Sequence, residues 1–148
     1  MRCVITANDE HGRSIIAINE ETLPHGVIWE TSPDAPLGYA PIPSPHDLDV
    51  KPGHTIIRHS ELPPDAMMHQ YLRRGVPGLD ENGFHKTNSI DFIVLLEGRL
   101  TLELDQGQAE ILPGDVVVQR NTNHAWRNAE DTPARILCVM TKLPDSGE

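Results

Sequence analysis

The sequence predicts an all-β protein, and three observations carry that prediction. The 148 residues include 11 glycines and 13 prolines, which interrupt the chain every few positions and exclude long helices. The intervals between them hold short β-branched runs without a 3.6-residue period. Alternation of apolar and polar residues, as in "LTLEL" at 100–104, indicates a sheet with one wet face.

The N-terminal part predicts strands followed by a Pro-rich connection. "CVIT" and "RSIIAI" flank the turn-forming "NDEHG", and "GVIWET" is a third candidate strand. Five prolines between residues 33 and 45 exclude a helix and regular ladder pairing, so we expect a surface strap there. "HTIIRH" is the next strand, and "AMMHQYL" fits a strand or a single helical turn. "RRGVPGLDENG" is a loop suited to act as a lid.

From residue 84 onward the pattern predicts a meander of short strands. These are "SIDFIVLLEG", "RLTLELDQG", "QAEILPGD", "VVVQRNTN", "HAWRN" and "ARILCVMTK". The run "FIVLL" is apolar at every position, which predicts burial on both faces in a closed sheet or two-sheet roll. We expect a single domain over 1–148, with an N-terminal β extension and strap at 1–53 and a barrel core at 54–142.

Charge and composition narrow the classes of partner. A formal net charge of −10 and a pI near 5.1 oppose binding to nucleic acid or anionic membrane, which leaves a small-molecule ligand. The sequence lacks the apolar run of a signal peptide or membrane span, so we expect a cytoplasmic protein. Cys3 and Cys138 lie in apolar runs without CxxC spacing, which predicts two buried reduced thiols.

Two segments of the second half resemble the signature segments of the cupins, which are small jelly-roll β-barrels. The first segment, 83–98, has the family's spacing at Gly83, His85, Thr87, Asp91 and Gly98. The second, 113–128, does so at Pro113, Gly114, Asp115, Gln119, Asn121, His124 and Asn128. The resemblance implies a cupin jelly-roll β-barrel with an N-terminal β-strand extension. It also implies a homodimer, because cupins of this size commonly dimerise through such extensions.

The resemblance also implies a metal site, with one departure. The ligands of metal-binding cupins correspond to His85, Thr87, Asp91 and His124, and the threonine hydroxyl is a poor ligand for Fe, Mn, Ni or Zn. In one alternative His85, Asp91 and His124 hold a divalent metal as a facial triad. In the other, hydrogen bonds from Thr87, the turn backbone or a histidine neutralise Asp91, and the same three residues perform acid–base chemistry without metal. We expect no nucleotide cofactor.

Further residues are candidates for substrate contact. They are Thr87, Trp126, His69, Tyr71 and Gln119. We expect His54, His59 and His69 at the surface or rim, where His69 precedes the possible lid. Two function classes follow. The first is an enzyme acting in the barrel on a compact aromatic or carboxylated substrate, as a metal-assisted oxygenase or lyase or as a metal-free dehydratase or isomerase. The second is a non-catalytic ligand-binding or sensing module, which needs no acid–base pair.

Overall fold

The computed structural model describes residues 1–21, 26–34 and 50–143, so most of the predicted strap lies outside the described residues. The described part contains ten strands and one helix. Their bounds are β1 Arg2–Asn8, β2 Ser14–Glu21, β3 Gly26–Thr31, β4 Thr55–Leu62, α1 Asp65–Leu72, β5 Ile90–Glu97, β6 Leu100–Leu104, β7 Gln108–Ile111, β8 Val116–Arg120, β9 His124–Arg127 and β10 Ala134–Thr141. The predicted all-β class is confirmed.

The described strands form three antiparallel sheets. The largest has the order β3-β4-β10-β5-β8, the second has the order β7-β6-β9, and β1 pairs with β2 in a separate hairpin. The core lies between the five-stranded and three-stranded sheets. Its buried members are Val50, Ile56, Ile93, Leu95, Leu100, Leu102, Ile111, Ala134, Ile136, Cys138 and Met140. This two-sheet arrangement agrees with the predicted jelly roll.

Alternation along the strands determines which side chains reach this core. In β10 every second residue from Ala134 to Met140 is buried and the residues between them are half-buried. In β6, Leu100 and Leu102 are buried whereas Thr101 and Glu103 lie on the wetter face. A period of two therefore divides each strand into an inner and an outer side.

The predicted burial of "FIVLL" on both faces is wrong. Ile93 and Leu95 are buried in the core, but Phe92 and Leu96 are exposed. The physical reason is the position of β5 inside the five-stranded sheet, since only one face of that sheet meets the three-stranded sheet. The apolar residues of the other face remain in contact with solvent.

The ambiguous segment "AMMHQYL" forms the helix α1. Pro64 precedes its first residue, and proline with its fixed φ suits a helix start. Asp65 lies in the first turn, where a carboxylate interacts favourably with the helix dipole. Its Oδ1 also accepts a hydrogen bond of 2.8 Å from the backbone N–H of Asn128, which ties the start of α1 to the end of β9. Among the described residues no helix is long and apolar enough to cross a membrane.

The two cysteines differ in environment, so the prediction of two buried thiols is only half correct. Both are free thiols. Cys138 is buried in the core, and burial first, then the charge of Asp91, raises the pKa of its thiol to about 12. A thiol in this state is not a nucleophile at neutral pH. Cys3 is half-buried because β1 belongs to the separate hairpin.

Candidate functional site

The inner side of the barrel carries polar side chains beside the apolar core. Asp91 on β5, Gln119 on β8 and His124 on β9 are all buried. Asp91 and Gln119 are direct partners across neighbouring strands. His85 joins them through an isolated antiparallel bridge to His124, in which the backbone N–H groups donate at 2.9 and 3.0 Å. The structure thus brings together two histidines, a carboxylate and an amide.

Two hydroxyl groups donate hydrogen bonds to the Asp91 carboxylate. The Thr87 hydroxyl donates to Oδ2 at 3.0 Å, and the Ser89 hydroxyl donates to Oδ1 at 2.6 Å. Each carboxylate oxygen therefore has a donor. Thr87 stands where metal-binding relatives carry a second histidine, and here it donates a hydrogen bond to Asp91. Ser89 was absent from the sequence-based candidates because only the fold shows that its side chain turns inward.

The protonation of His124 follows from its neighbours. Its Nδ1 lies 2.9 Å from the carbonyl oxygen of Thr122. Since a carbonyl can only accept, Nδ1 carries the proton and Nε2 keeps a lone pair. Burial lowers the pKa of His124, against the opposing effects of the Thr122 carbonyl and Asp91. Trp126 meets the ring edge-on, with ring centroids 6.4 Å apart, and also packs against the core.

His85 is a neutral imidazole at physiological pH. Burial first, and then the neighbouring His124, lower its pKa to about 4, with the Gly83 carbonyl opposing the shift. The two imidazole centroids are 4.2 Å apart. Nδ1 of His85 is buried and has no hydrogen-bond partner within the described ranges.

Gln119 supplies a second buried polar atom without a partner. Its Nε2 donates to the Thr122 carbonyl at 3.0 Å and to the Thr122 hydroxyl. These contacts determine the orientation of the Gln119 amide, because the Thr122 carbonyl oxygen can only accept a hydrogen bond and must face the NH2 group. Oε1 then points elsewhere, and no described residue donates to it. An unsatisfied buried group costs about 1–3 kcal/mol, so a ligand that donates to Oε1 would stabilise the site.

Sequence reasoning missed Arg58. This residue lies on β4 directly opposite Cys138, is only 8% exposed, and donates from Nε to the Ser60 hydroxyl at 3.0 Å. Burial lowers the pKa of the guanidinium, whereas Cys138 and Asp91 raise it. The alternation of "HTIIRH" was the available signal, since Arg58 shares its side of the strand with the buried Ile56. The inner wall therefore holds a guanidinium as well as a carboxylate.

The donor set does not fit a metal ion as it stands. Within the described ranges no group of three His, Cys, Asp or Glu side chains is arranged to hold a metal ion. Each oxygen of Asp91 accepts one hydroxyl hydrogen bond, from Thr87 or from Ser89, and Nδ1 of His124 bonds to Thr122, which leaves Nε2 as its possible ligand atom. The three-ligand site at His85, Asp91 and His124 stays a prediction.

Other candidates lie away from this group. His69 and Tyr71 are exposed on α1, which has no buried residue, and the structure does not bring them to His124. His54 is half-buried, and its Nδ1 lies 2.5 Å from Glu30 Oε1. His59 is only 1% exposed, so its expected place at the surface or rim is wrong. It pairs with Leu137 and Gly26 on the neighbouring strands.

The loop before His85 is tied to β9 by Arg127. The Arg127 Nη1 donates to the Asn82 carbonyl at 2.7 Å, and its guanidinium lies 5.4 Å from the Phe84 ring centroid. Its Nε donates to Glu103 at 2.6 Å. The end of the predicted lid is thus anchored next to His85.

A family model and several known proteins are similar to this chain. Residues 76–140 match the family model described as a cupin domain. The chain is 33% identical over 146 residues to Oryzines biosynthesis cluster protein J of Aspergillus oryzae, covering 91% of this chain and 79% of that protein. It is 29% identical over 148 residues to a cupin-domain-containing oxidoreductase of Aspergillus ruber, covering 95% and 72%. A solved RmlC-like cupin family protein from Methanocaldococcus jannaschii is 23% identical, with a TM-score of 0.45 over 64% of this chain and 76% of that chain.

Proposed function

Since this chain belongs to the cupin superfamily, we propose that it is an enzyme acting on a compact carboxylated organic substrate inside the barrel, by acid–base chemistry at His124. One observation carries the proposal. His85 Nδ1 and Gln119 Oε1 are buried and lack partners among the described residues, and both side chains adjoin the His124 network. Buried polar atoms are nearly always paired, so a polar ligand between them accounts for both.

His124 is suited to act as a general base. Its Nε2 lone pair is available because Nδ1 bonds to Thr122, and its lowered pKa keeps the ring neutral at pH 7. Removal of a proton from substrate would produce an imidazolium that the Thr122 carbonyl and the Asp91 charge stabilise. Return of the proton to another substrate atom completes an isomerisation, or its transfer to a leaving hydroxyl completes a dehydration.

Arg58 supports a carboxylated substrate. A guanidinium on the inner wall supplies positive charge where the low-dielectric surroundings strengthen its interaction with an anion. The outside of the protein offers no such attraction, because the chain carries a net charge of −10. The relative from Aspergillus oryzae is named for a biosynthesis cluster, which also favours a small organic substrate. We place the activity in the cytoplasm, where free thiols persist.

The proposal predicts carbon-bound proton exchange. We would screen compact 2-oxo, unsaturated and aromatic carboxylic acids against their amides by thermal shift, then follow deuterium incorporation in D2O by NMR. We expect an acid, and not its amide, to raise Tm and to exchange its proton at an enzyme-dependent rate. A raised Tm without exchange would favour the non-catalytic binding module, whereas equal stabilisation by acid and amide would contradict the carboxylate requirement.

Oxidation is a second candidate, because the Aspergillus ruber relative is named an oxidoreductase. Metal content separates it from the acid–base proposal. Because no group of three His, Cys, Asp or Glu side chains in the described ranges is arranged to hold a metal ion, we expect far less than one metal per chain in protein purified without chelators. Elemental analysis of the parent and of His85→Ala and His124→Ala checks this. Stoichiometric metal in the parent that is lost in both variants would favour the oxidoreductase.

A further inference from the structure

One backbone carbonyl orients two side chains of the site. The carbonyl oxygen of Thr122 accepts a hydrogen bond of 3.0 Å from Gln119 Nε2 and one of 2.9 Å from His124 Nδ1. A carbonyl oxygen has two lone pairs, so both are occupied. Each side chain turns a donor nitrogen toward Thr122, and its other polar atom therefore points away from this carbonyl. These atoms are Gln119 Oε1 and His124 Nε2, and both are acceptors.

Gln119 and His124 belong to different sheets. Gln119 lies on β8 of the five-stranded sheet, and His124 begins β9 of the three-stranded sheet. Each residue is only 2% exposed. Val117 lies two residues before Gln119, hence on the same side of β8, and it packs against the core between the two sheets. The Gln119 amide is therefore on the inner side of the barrel, where Thr122 holds it in a fixed relation to the imidazole.

Gln119 Oε1 has no hydrogen-bond donor among the described residues. Its partner on β5 is Asp91, whose carboxylate is itself an acceptor. The hydroxyls of Thr87 and Ser89 both donate to that carboxylate, so their protons are used there. A buried carbonyl oxygen without a donor is uncommon in proteins. A donor carried by a molecule that enters the barrel would complete the site.

A hydroxyl group suits this acceptor better than an ammonium group does. A hydroxyl brings one O–H donor and no charge, and a single amide oxygen satisfies that donor. An ammonium group brings three N–H donors and a charge, and its burial is costly unless all of these find partners. Gln119 Oε1 is one neutral acceptor, and each Asp91 oxygen already accepts a hydroxyl hydrogen bond. A neutral donor is therefore the better match.

We propose that Gln119 determines specificity by accepting a hydrogen bond from a substrate hydroxyl, so that the substrate is a hydroxylated carboxylic acid. This inference rests on the proposed function, which supplies the carboxylate and the base at His124. Because the Thr122 carbonyl holds the amide and the imidazole together, the hydroxyl bound to Gln119 determines which carbon of the substrate approaches His124 Nε2. An analogue without the hydroxyl leaves Oε1 unpaired and binds more weakly.

The test compares acids that differ in one substituent. Each series contains a hydroxy acid, the matching amino acid and the deoxy acid: lactate, alanine and propionate; malate, aspartate and succinate; mandelate, phenylglycine and phenylacetate. Calorimetry measures the Kd of each acid for the parent and for Gln119→Met, which is similar in length but lacks the amide. Gln119→Asn, which withdraws the amide by one methylene, is a second variant. Gln106→Met, in the exposed turn between β6 and β7, is the matched control.

In at least one series we expect the parent to bind the hydroxy acid about tenfold or more tightly than the deoxy acid and the amino acid. Both Gln119 variants should reduce that ratio to about one. They should keep the parent Kd for the deoxy acid, which also shows that each variant is folded. Gln106→Met should keep the parent ratio.

Equal binding of hydroxy and deoxy acids by the parent would overturn the proposal without any variant. Tighter binding of the amino acid would also overturn it, and so would a ratio that persists in the Gln119 variants. All three results leave the proposed function intact, because an acid still binds. Failure of every acid to bind would overturn the proposed function together with this inference.

Discussion

Replacement of His124 by glutamine is expected to lower the rate of substrate proton exchange by about 10²–10⁴-fold, the usual contribution of a general base. Glutamine is similar in length and keeps an amide that can bond to the Thr122 carbonyl, but it has no basic nitrogen. Ligand binding should therefore persist, with the thermal shift by the same acid retained. The exchange rate and the thermal shift are measured on one sample by NMR and calorimetry.

The pH profile provides an independent readout of the same residue. Burial lowers the pKa of His124 below 6.5, and the base is active only when neutral. The exchange rate should thus be constant near pH 7 and fall tenfold per pH unit once the pH drops below that lowered pKa. His85, with a pKa of about 4, remains neutral over most of this range and contributes only at the acid end.

A matched histidine control separates catalysis from general damage. His11 lies in the exposed turn between β1 and β2, so His11→Gln should leave both the rate and the pH profile unchanged. If His124→Gln exchanged protons at the parent rate while folded and binding, the general-base assignment would be wrong. Loss of ligand binding in His124→Gln would instead assign this residue to ligand recognition.

The second large effect is expected at Gly98. Its φ is +92°, and an added Cβ would lie 2.9 Å from the Ala134 Cβ and 3.0 Å from the Ala134 Cα. Ala134 is fully buried, so its backbone cannot move aside easily. We expect Gly98→Ala to lower the free energy of unfolding by about 2–5 kcal/mol, from about 1–2 kcal/mol of backbone strain and about 1–3 kcal/mol of overpacking.

Gly107 is the matched control for that substitution. Its φ is +93°, but an added Cβ meets nothing within 4 Å. Gly107→Ala should therefore show only the backbone strain of about 1–2 kcal/mol. Urea unfolding of the parent and both variants measures the free energy of unfolding of each. Gly98→Ala should be less stable than Gly107→Ala by about 1–3 kcal/mol, which is the cost of the contact with Ala134. Equal destabilisation of the two variants would show that no such contact exists.

Strand positions were predictable because they depend on local patterns. Alternation and turn residues placed all ten described strands close to their observed bounds, and "GVIWET" coincides with β3, Gly26–Thr31. The segment "AMMHQYL" remained ambiguous, since seven residues hold less than two helical turns and a period is not resolved in so short a stretch. The contact of Asp65 with Asn128, 63 positions away, is not visible in a local pattern.

The site was predictable only in part. Family spacing singled out His85, Asp91, Gln119 and His124, and the structure places His85 next to His124 and Asp91 opposite Gln119. It did not identify Arg58, whose inward side chain is recognised only when β4 pairs with β10, or Ser89, which donates to Asp91. Nor did family spacing show which side-chain atoms form hydrogen bonds, because that depends on distances between side chains on different strands.

The sequence by itself determined the all-β class and the positions of the strands along the chain, because backbone periodicity and turn residues act within a few residues. The candidate site residues came from the resemblance of two segments to those of the cupins. Tertiary structure alone decided that Thr87 and Ser89 engage Asp91, that His124 keeps Nε2 available, and that one face of β5 stays exposed. The physical reason is that hydrogen-bond partners and solvent exclusion are set by residues distant in the chain, which only the packed sheets bring together.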